Sequence, residues 1–402
     1  MSLKGMGIVL KNRNFLKLWI GQIVSNIGDE VAFFGLGVLV VFSWKGTALD
    51  LSIVMASSSL PVLLFGPFVG VFVDRWNKQL TMIAADLIRA FLALFFIFCT
   101  SVIQLAIVVF LLATVSRFFY PARASIIPEI MKEENLVEAN SFSQMTYMLS
   151  VILGPVIATP MIYILGYTWI FIFDSSSYVF SAIMISLMIY EHKARKEMKK
   201  PLEELIDGLK YIWNNPTVRL LILIFSIVML FVGGLNVAFS IYIRDVVHMG
   251  VGGYGALEVL FGIGTVVGSI STGFLAGRFS PGKMVLTGIL GIGIMILILG
   301  ILPTPWVALI FGGFMIGYFV GYLNAPATAI FQKAIKEEFR GRVFSAQGAI
   351  IQGATLISIV VIGLLINYFG IIPIILFSSS VLIFLSIALI FSKASKVLNE
   401  GE

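Results

Sequence analysis

The sequence predicts an all-α membrane protein of twelve transmembrane helices, arranged as two pseudo-symmetric six-helix bundles. Three observations predict it. The 402 residues are 59% hydrophobic and 12% charged, against roughly 25% charged in a soluble domain. The apolar residues gather in runs that meet the about 20 residues a bilayer core asks of a helix. The second half of the chain also repeats landmarks of the first at a nearly fixed distance.

The repeat is read residue by residue. Pro121-Ala122, Lys132-Glu133-Glu134 and Ser143-Gln144 are answered by Pro326-Ala327, Lys336-Glu337-Glu338 and Ser345 with Gln347. The offsets are 326−121 = 205, 336−132 = 204 and 347−144 = 203. Gly70-x3-Asp74-Arg75 is answered by Gly273-x3-Gly277-Arg278. Parallel halves of this kind are a transporter layout, with a substrate site between them and access alternated by rocking one bundle against the other.

Span 1 is expected over residues 15–42. It follows Lys4, Lys11, Arg13 and Lys17 and is too long for the apolar stretch of a cleavable leader, so it should stay as an anchor. Spans 2, 3 and 4 fall at 50–73, 79–100 and 103–120, divided by a basic turn and a short polar one. Spans 5 (138–166) and 6 (169–190) are joined by Gly166-Tyr167-Thr168, which leaves room only for antiparallel neighbours. The polar stretch 191–216 joins the halves. Its Leu202, Leu205, Ile206, Leu209 and Ile212 recur at helical spacing, the pattern of an amphipathic surface helix. Spans 7 to 12 follow at 217–243, 253–277, 283–301, 306–331, 341–368 and 372–392. The domains expected are an N-terminal bundle (1–190), a cytoplasmic linker (191–216) and a C-terminal bundle (217–402).

Of the 27 lysines and arginines, all except Lys45, Arg89 and Arg244 fall at the N-terminus, the C-terminus or connections on the same side as both. The positive-inside rule therefore puts both termini in the cytoplasm of a cell membrane. The basic residues are scattered over short loops, which speaks for orientation and lipid contact and against nucleic acid. One cysteine, Cys99, and two distant histidines, His192 and His248, cannot build a disulfide framework or a Cys/His metal site. No Gly-x4-Gly-Lys-Ser/Thr loop is present to cradle ATP. No Ser-His-Asp arrangement can be assembled. The expectation is a protein that is not an enzyme, with no cofactor and no metal.

Charges inside apolar spans carry the chemistry. A charge at the bilayer centre costs about 2.5–3.5 kcal/mol on insertion scales, so it faces a partner or a cavity. Gln22, Asn26 and Asp29 recur at i, i+4 and i+7 and make one polar stripe on span 1, bordered by Glu30. This stripe is expected to line a central cavity. Desolvation and a neighbouring carboxylate both favour the neutral form of a carboxyl group, which makes Asp29 or Glu30 a proton carrier. Asp174, inside the outer end of span 6, is a second candidate. Asp86 and Arg89 sit three apart on one face of span 3 and should neutralise each other. Glu258 is expected to meet Arg244 or Lys45 at the outer mouth.

Gly70-x3-Asp74-Arg75-x2-Lys78 lies on the inner turn between spans 2 and 3. It resembles the gating loop of the major facilitator superfamily, with Asn77 and Gln79 departing from the pattern and Gly277 replacing the acid in its twin. Ala329-Ile330-Phe331-Gln332, Lys336-Glu337-Glu338, Gly341-Arg342-Val343-Phe344-Ser345 and Asn12-x-Asn14-Phe15-x3-Trp19-x-Gly21-Gln22 resemble the drug:H⁺ antiporter branch that includes bacterial macrolide-efflux proteins. Gly154-Pro155 in span 5 is similar to the end of that branch's antiporter motif and marks a bend at a helix contact. Arg117 matches a family arginine linked to proton handling. The resemblance implies a monomeric exporter of bulky amphipathic compounds, driven by protons. Export or import of an endogenous metabolite, siderophore or lipid is the alternative, and metal-ion export a weaker one.

Overall fold

The structure, a computed structural model, describes residues 10–191 and 201–392. His192 lies outside them. Twelve helices are long and apolar enough to cross a membrane: Arg13–Ser43, Ala48–Gly66, Lys78–Phe98, Val102–Ile130, Glu133–Leu165, Tyr167–Ser186, Pro216–Asp245, Gly250–Leu275, Pro281–Ile301, Pro305–Ala334, Glu337–Phe369 and Ile371–Phe391. These are spans 1 to 12; the helix of span 2 continues to Arg75. No strand occurs among the described residues.

Helix ends leave backbone N–H groups without intrahelical partners, and polar side chains placed just before the apolar runs take them up. Asn12 accepts from the N–H groups of Asn14 and Phe15 at the head of span 1. Asn77, Ser101 and Asn215 do the same for spans 3, 4 and 7, the last followed by Pro216 in the first turn. The amide of Asn12 also donates to the Ile130 carbonyl at 2.6 Å, which ties the start of span 1 to the end of span 4.

The chain forms two compact units. One comprises Met1–Leu39 and Ser57–Leu202; the other comprises Val40–Ala56 and Glu203–Glu402. The connection between spans 1 and 2 thus groups with the second unit, and the bonds that hold it there are specific. Arg244 donates through Nη1 to the carbonyls of Val41 (2.8 Å) and Gly46 (2.6 Å) while its other nitrogens hold Asp245. Ser52 fills the space that a side chain on Gly363 would need.

The repeat written in the sequence returns in the backbone. Gly166 and Gly370 both end a long helix in the left-handed region, at φ 86° and 78°, where glycine pays no Cβ penalty. Lys45 and His248 are the two non-glycine residues with positive φ among the described residues. Their spacings, 370−166 = 204 and 248−45 = 203, are those of the sequence landmarks. Short 3₁₀ turns at Glu133–Asn135 and Glu337–Phe339 open spans 5 and 11 at the same offset.

Span 7 is broken. It runs as Pro216–Val232 and Leu235–Asp245, interrupted at Gly233-Gly234. The Gly234 N–H finds the Ser358 hydroxyl at 2.9 Å, so the break leaves no orphaned donor at that point. The linker does contain a helix, Pro201–Asn214, and it uses two faces. One face packs on the turn before span 11: Asp207 bridges Arg342 at 3.6 Å and Tyr211 stacks on Phe339 at 4.9 Å. Ile206, Leu209 and Trp213 form the other and stay exposed, which is the apolar edge of an interfacial helix.

With no hydrophobic drive between helices in lipid, close packing has to hold them. In the second unit, spans 8 and 10 meet backbone to backbone through Gly264-x3-Gly268 and Gly317-x3-Gly321. A Cβ on Gly268 would sit 1.9 Å from the Tyr318 carbonyl oxygen, and one on Gly321 2.0 Å from that of Thr265. Neither neighbour is the tip of a mobile side chain. Gly268→Ala and Gly321→Ala are each expected to cost roughly 1–3 kcal/mol, read as a lower melting temperature of the purified protein. Gly273→Ala, where nothing lies within 4 Å, should leave the melt in place.

Candidate functional site

Span 1 carries the site because its small and polar residues share the helix with its apolar ones. Gly28 lets span 6 come close: a Cβ there would lie 2.1 Å from the Ser177 hydroxyl and 3.0 Å from Asp174 Oδ1. The approach brings Asp29 of span 1 to Tyr178 of span 6, whose hydroxyl donates to Asp29 Oδ1. Tyr178 is fully buried, and its ring centroid stands 4.4 Å from the Arg89 guanidinium of span 3. Phe119 of span 4 covers the same guanidinium at 4.3 Å. Arg89 in turn pairs with Asp86. Asp174 completes the group and interacts electrostatically with Asp29 and Arg89.

Four helices of the first unit thus converge on three carboxylates and one guanidinium. Asp86, Arg89 and Asp174 are at most 1% exposed. Hydrogen bonding is incomplete: Asp86 Oδ2, Arg89 Nε and Asp174 Oδ1 are buried without a partner. An unpaired buried polar atom is costly. The expected Asp86–Arg89 pair is present, but as one corner of this larger cluster.

The other predicted residues divide. Gln22 and Asn26 are buried on span 1, and Arg123 of span 4 donates to Gln22 Oε1 at 3.2 Å. Glu30 packs its Cβ and backbone on Gly154 of span 5, where the missing side chain admits it. Pro155 lies inside the same helix. Arg117 donates to the Ala113 carbonyl at 3.4 Å and stands 5.4 Å from the Tyr120 ring.

At the turn between spans 2 and 3, Gly70 and Asp74 lie in the helix of span 2, the Asp74 side chain outside the described residues. Arg75 is exposed. Lys78 is buried and bridges Glu129 of span 4 at 2.7 Å, and Tyr190 donates to the same carboxylate at 2.5 Å. Glu258 does not meet Arg244 or Lys45. It is bonded instead by Asn236 of span 7, at 3.5 Å, and by Tyr254 of its own helix, whose hydroxyl also reaches the Asn236 amide at 3.4 Å. Arg244 is instead engaged by Asp245 and two carbonyls.

Sequence reading did not single out Tyr178, Arg123 or Glu129 as site residues. Tyr178 stands four residues after Asp174, so their shared helix face was readable; its bond to Asp29, 149 residues away, was not. Among the described residues no group of three or more His, Cys, Asp or Glu could hold a metal ion.

Relatives agree with this geometry at the level of the family. The family described as transmembrane secretion effector matches residues 8–400. Macrolide efflux protein A of Streptococcus pyogenes is 27% identical over 372 residues, covering 89% of this chain and 90% of that protein. The multidrug efflux pump Tap of Mycolicibacterium fortuitum is 25% identical, covering 83% of this chain and 85% of that one. Among solved structures, a bacterial homologue of the human lysosomal transporter Spinster superposes with a TM-score of 0.75 at 13% identity, covering 100% of this chain and 98% of that one. The chain belongs to the major facilitator superfamily of membrane transporters, in its transmembrane secretion effector family.

Proposed function

We propose that this protein is a secondary active exporter of bulky amphipathic compounds, driven by inward proton movement in an alternating-access cycle. One observation carries the reading: three carboxylates gather near one guanidinium in the membrane interior, Asp86 paired with Arg89, Asp29 bonded to the Tyr178 that stacks on Arg89, and Asp174 set beside Gly28, next to Asp29. Three ionised carboxylates against one cation would leave two negative charges in a medium where each costs about 2.5–3.5 kcal/mol. Proton uptake removes that cost. Asp86 is held by Arg89, so the exchangeable proton falls to Asp29 and Asp174, with Glu30 and Arg117 flanking them. Binding and release of that proton changes the charge between span 1 and span 6 and biases one facing state over the other. A membrane potential of 100 mV supplies about 2.3 kcal/mol per charge carried, enough to hold a useful gradient.

Macrolide and multidrug efflux are in the names of two relatives, which supports a drug-like substrate class. The gating role of Gly70, Asp74, Arg75 and Lys78 rests on their place at the inner turn. The protein is read as a monomer in the cell membrane with both termini cytoplasmic, in contact with lipid.

Two measurements test this. In proteoliposomes, Asp29→Asn and Asp174→Asn fix a neutral, proton-like side chain. Each should lower uphill, pH-driven transport roughly tenfold, equivalent to about 1.4 kcal/mol, while downhill exchange of substrate persists. Transport by the unaltered protein should fall as pH rises on the proton-donating side, because the carboxylates then stay charged. Full pH-driven transport in both variants would remove the acid cluster from the coupling path.

Orientation is checked with Cys99, just past the end of span 3. Cytoplasmic termini put it on the outer face, open to an impermeant maleimide applied to intact cells. Burial raises its thiol above the ordinary value, and the S–H donates to the Phe95 carbonyl at 3.3 Å. The thiolate is the reactive form. Labelling should therefore be slow near neutrality and should speed up as pH rises toward 9. Labelling that requires opened cells would reverse the topology.

A further inference from the structure

A second polar site lies in the first unit, along span 1 from the acid cluster, and the coupling reading leaves it without a task. Phe15, Leu18, Trp19, Gln22, Asn26, Arg123, Ile127, Ser143 and Thr146 surround a cavity of about 10 Å³. That is room for about one water-sized group. Donors are in excess on its wall. Arg123 brings a guanidinium with five N–H donors. Its described hydrogen bond goes to Gln22 Oε1, and it makes no ion pair among the described residues. Gln22 is 6% exposed, and its Nε2, a second donor, is buried without a partner. Asn26, 8% exposed, stands one turn further along the same face.

The hydroxyls on the wall add no further donor, since each gives its hydrogen to a carbonyl, and Ser143 keeps an acceptor. Trp19 Nε1 already donates to Thr146 Oγ1 at 2.8 Å, and Thr146 and Ser143 each donate to a carbonyl of their own helix. A half-buried guanidinium beside an unsatisfied amide N–H, with no carboxylate in contact, is the donor half of an ion pair. A planar fork of donors suits a carboxylate or a phosphate oxygen pair, and a hydrated ammonium would meet repulsion.

We propose that Arg123, Gln22 and Asn26 form a subsite for the anionic oxygen group of a ligand, a carboxylate or phosphate carried on an apolar body. The cavity takes one oxygen of the terminal group; the rest of that group and the body stay outside it. The site deepens the reading of the span 1 stripe as cavity lining and rests on that reading. It does not rest on proton-driven export, because its test is binding: saturable binding without transport would sink the export proposal and leave this one standing.

The anion can come from a small amphipathic ligand or from a lipid headgroup, and two probes separate the sources. Tritiated cholate, a carboxylate on an apolar body, is titrated onto the full-length protein in phosphatidylcholine nanodiscs. In parallel, melting temperature is compared between phosphatidylcholine nanodiscs and nanodiscs containing phosphatidylglycerol. Arg123→Gln should weaken cholate binding tenfold or more, and Arg123→Lys should restore part of it. Gln22→Glu keeps Arg123 in place and supplies an internal carboxylate, so it should block the subsite in a folded protein; its melt should match that of the unaltered protein. Tetraphenylphosphonium, a cation, should be indifferent to all three variants. A phosphatidylglycerol-dependent rise in melting temperature that both Arg123→Gln and Gln22→Glu abolish, with no cholate binding, would support the same site with lipid as its ligand. Cholate binding and lipid response unchanged in Gln22→Glu, or neither present in the unaltered protein, would overturn the proposal.

Discussion

The bilayer offers no water to a buried charge, and the first unit of this protein is arranged around that fact. Arg89 is the fixed point. Its guanidinium stands between the rings of Phe119 and Tyr178 and pairs with Asp86, so spans 3, 4 and 6 are held to one another through a single cation. Cation–π contact gains strength as water is excluded, and an ion pair in low dielectric is strong only while both members stay. Removing Arg89 would strand three acids together. The same residue therefore supports the packing of the unit and the charge balance of the site, and the two roles cannot be separated by position.

The second unit solves the packing problem differently. It repeats the turns of the first at an offset of 203 to 204 residues, yet its close helix pair is a glycine seam. Spans 8 and 10 touch through bare backbone at Gly264, Gly268, Gly317 and Gly321, where the lateral force comes from van der Waals contact and lipid release. Its intramembrane acid, Glu258, has the neutral partners Asn236 and Tyr254. Duplication preserved the skeleton, including left-handed turns that would be costly to shift, while the chemistry along the helices diverged. Buried charge gathered in one half and close backbone packing in the other.

What the sequence disclosed follows the range of the forces that made each feature. Twelve spans, the repeat, the Asp86–Arg89 pair and the Gln22–Asn26–Asp29 stripe depend on spacing along one helix, and spacing is visible in a string of letters. Pairings between helices are not. Tyr178 reads as one more aromatic among 34 Phe, 12 Tyr and 6 Trp, and only folding brings its hydroxyl to Asp29. Glu258 was matched to the cations nearest the same end of the membrane, on the sound assumption that opposite charges meet. Arg244 was already committed to Asp245 and to the carbonyls of Val41 and Gly46, a use of arginine that charge counting does not anticipate. Val40–Ala56 falls in the second unit, where those carbonyl bonds also lie, and such bonds have no signature in side-chain type at all.

Span 1 ends up with a graded face. Toward its start, Gln22 and Asn26 share their surroundings with Arg123; at its middle, Asp29 joins the acid cluster through Tyr178. Gln22, which meets Arg123 of span 4, and Asp29 thus lie about two turns apart along span 1, at 1.5 Å of rise per residue. Arg123 and Asp29 form no ion pair among the described residues. Were the two in contact, the acid would be held as a permanent ion pair and could not exchange a proton. Keeping them apart leaves each with an unmet demand. A protein that must release what it binds needs that residual demand on both sides, since a fully satisfied network would have no reason to change state.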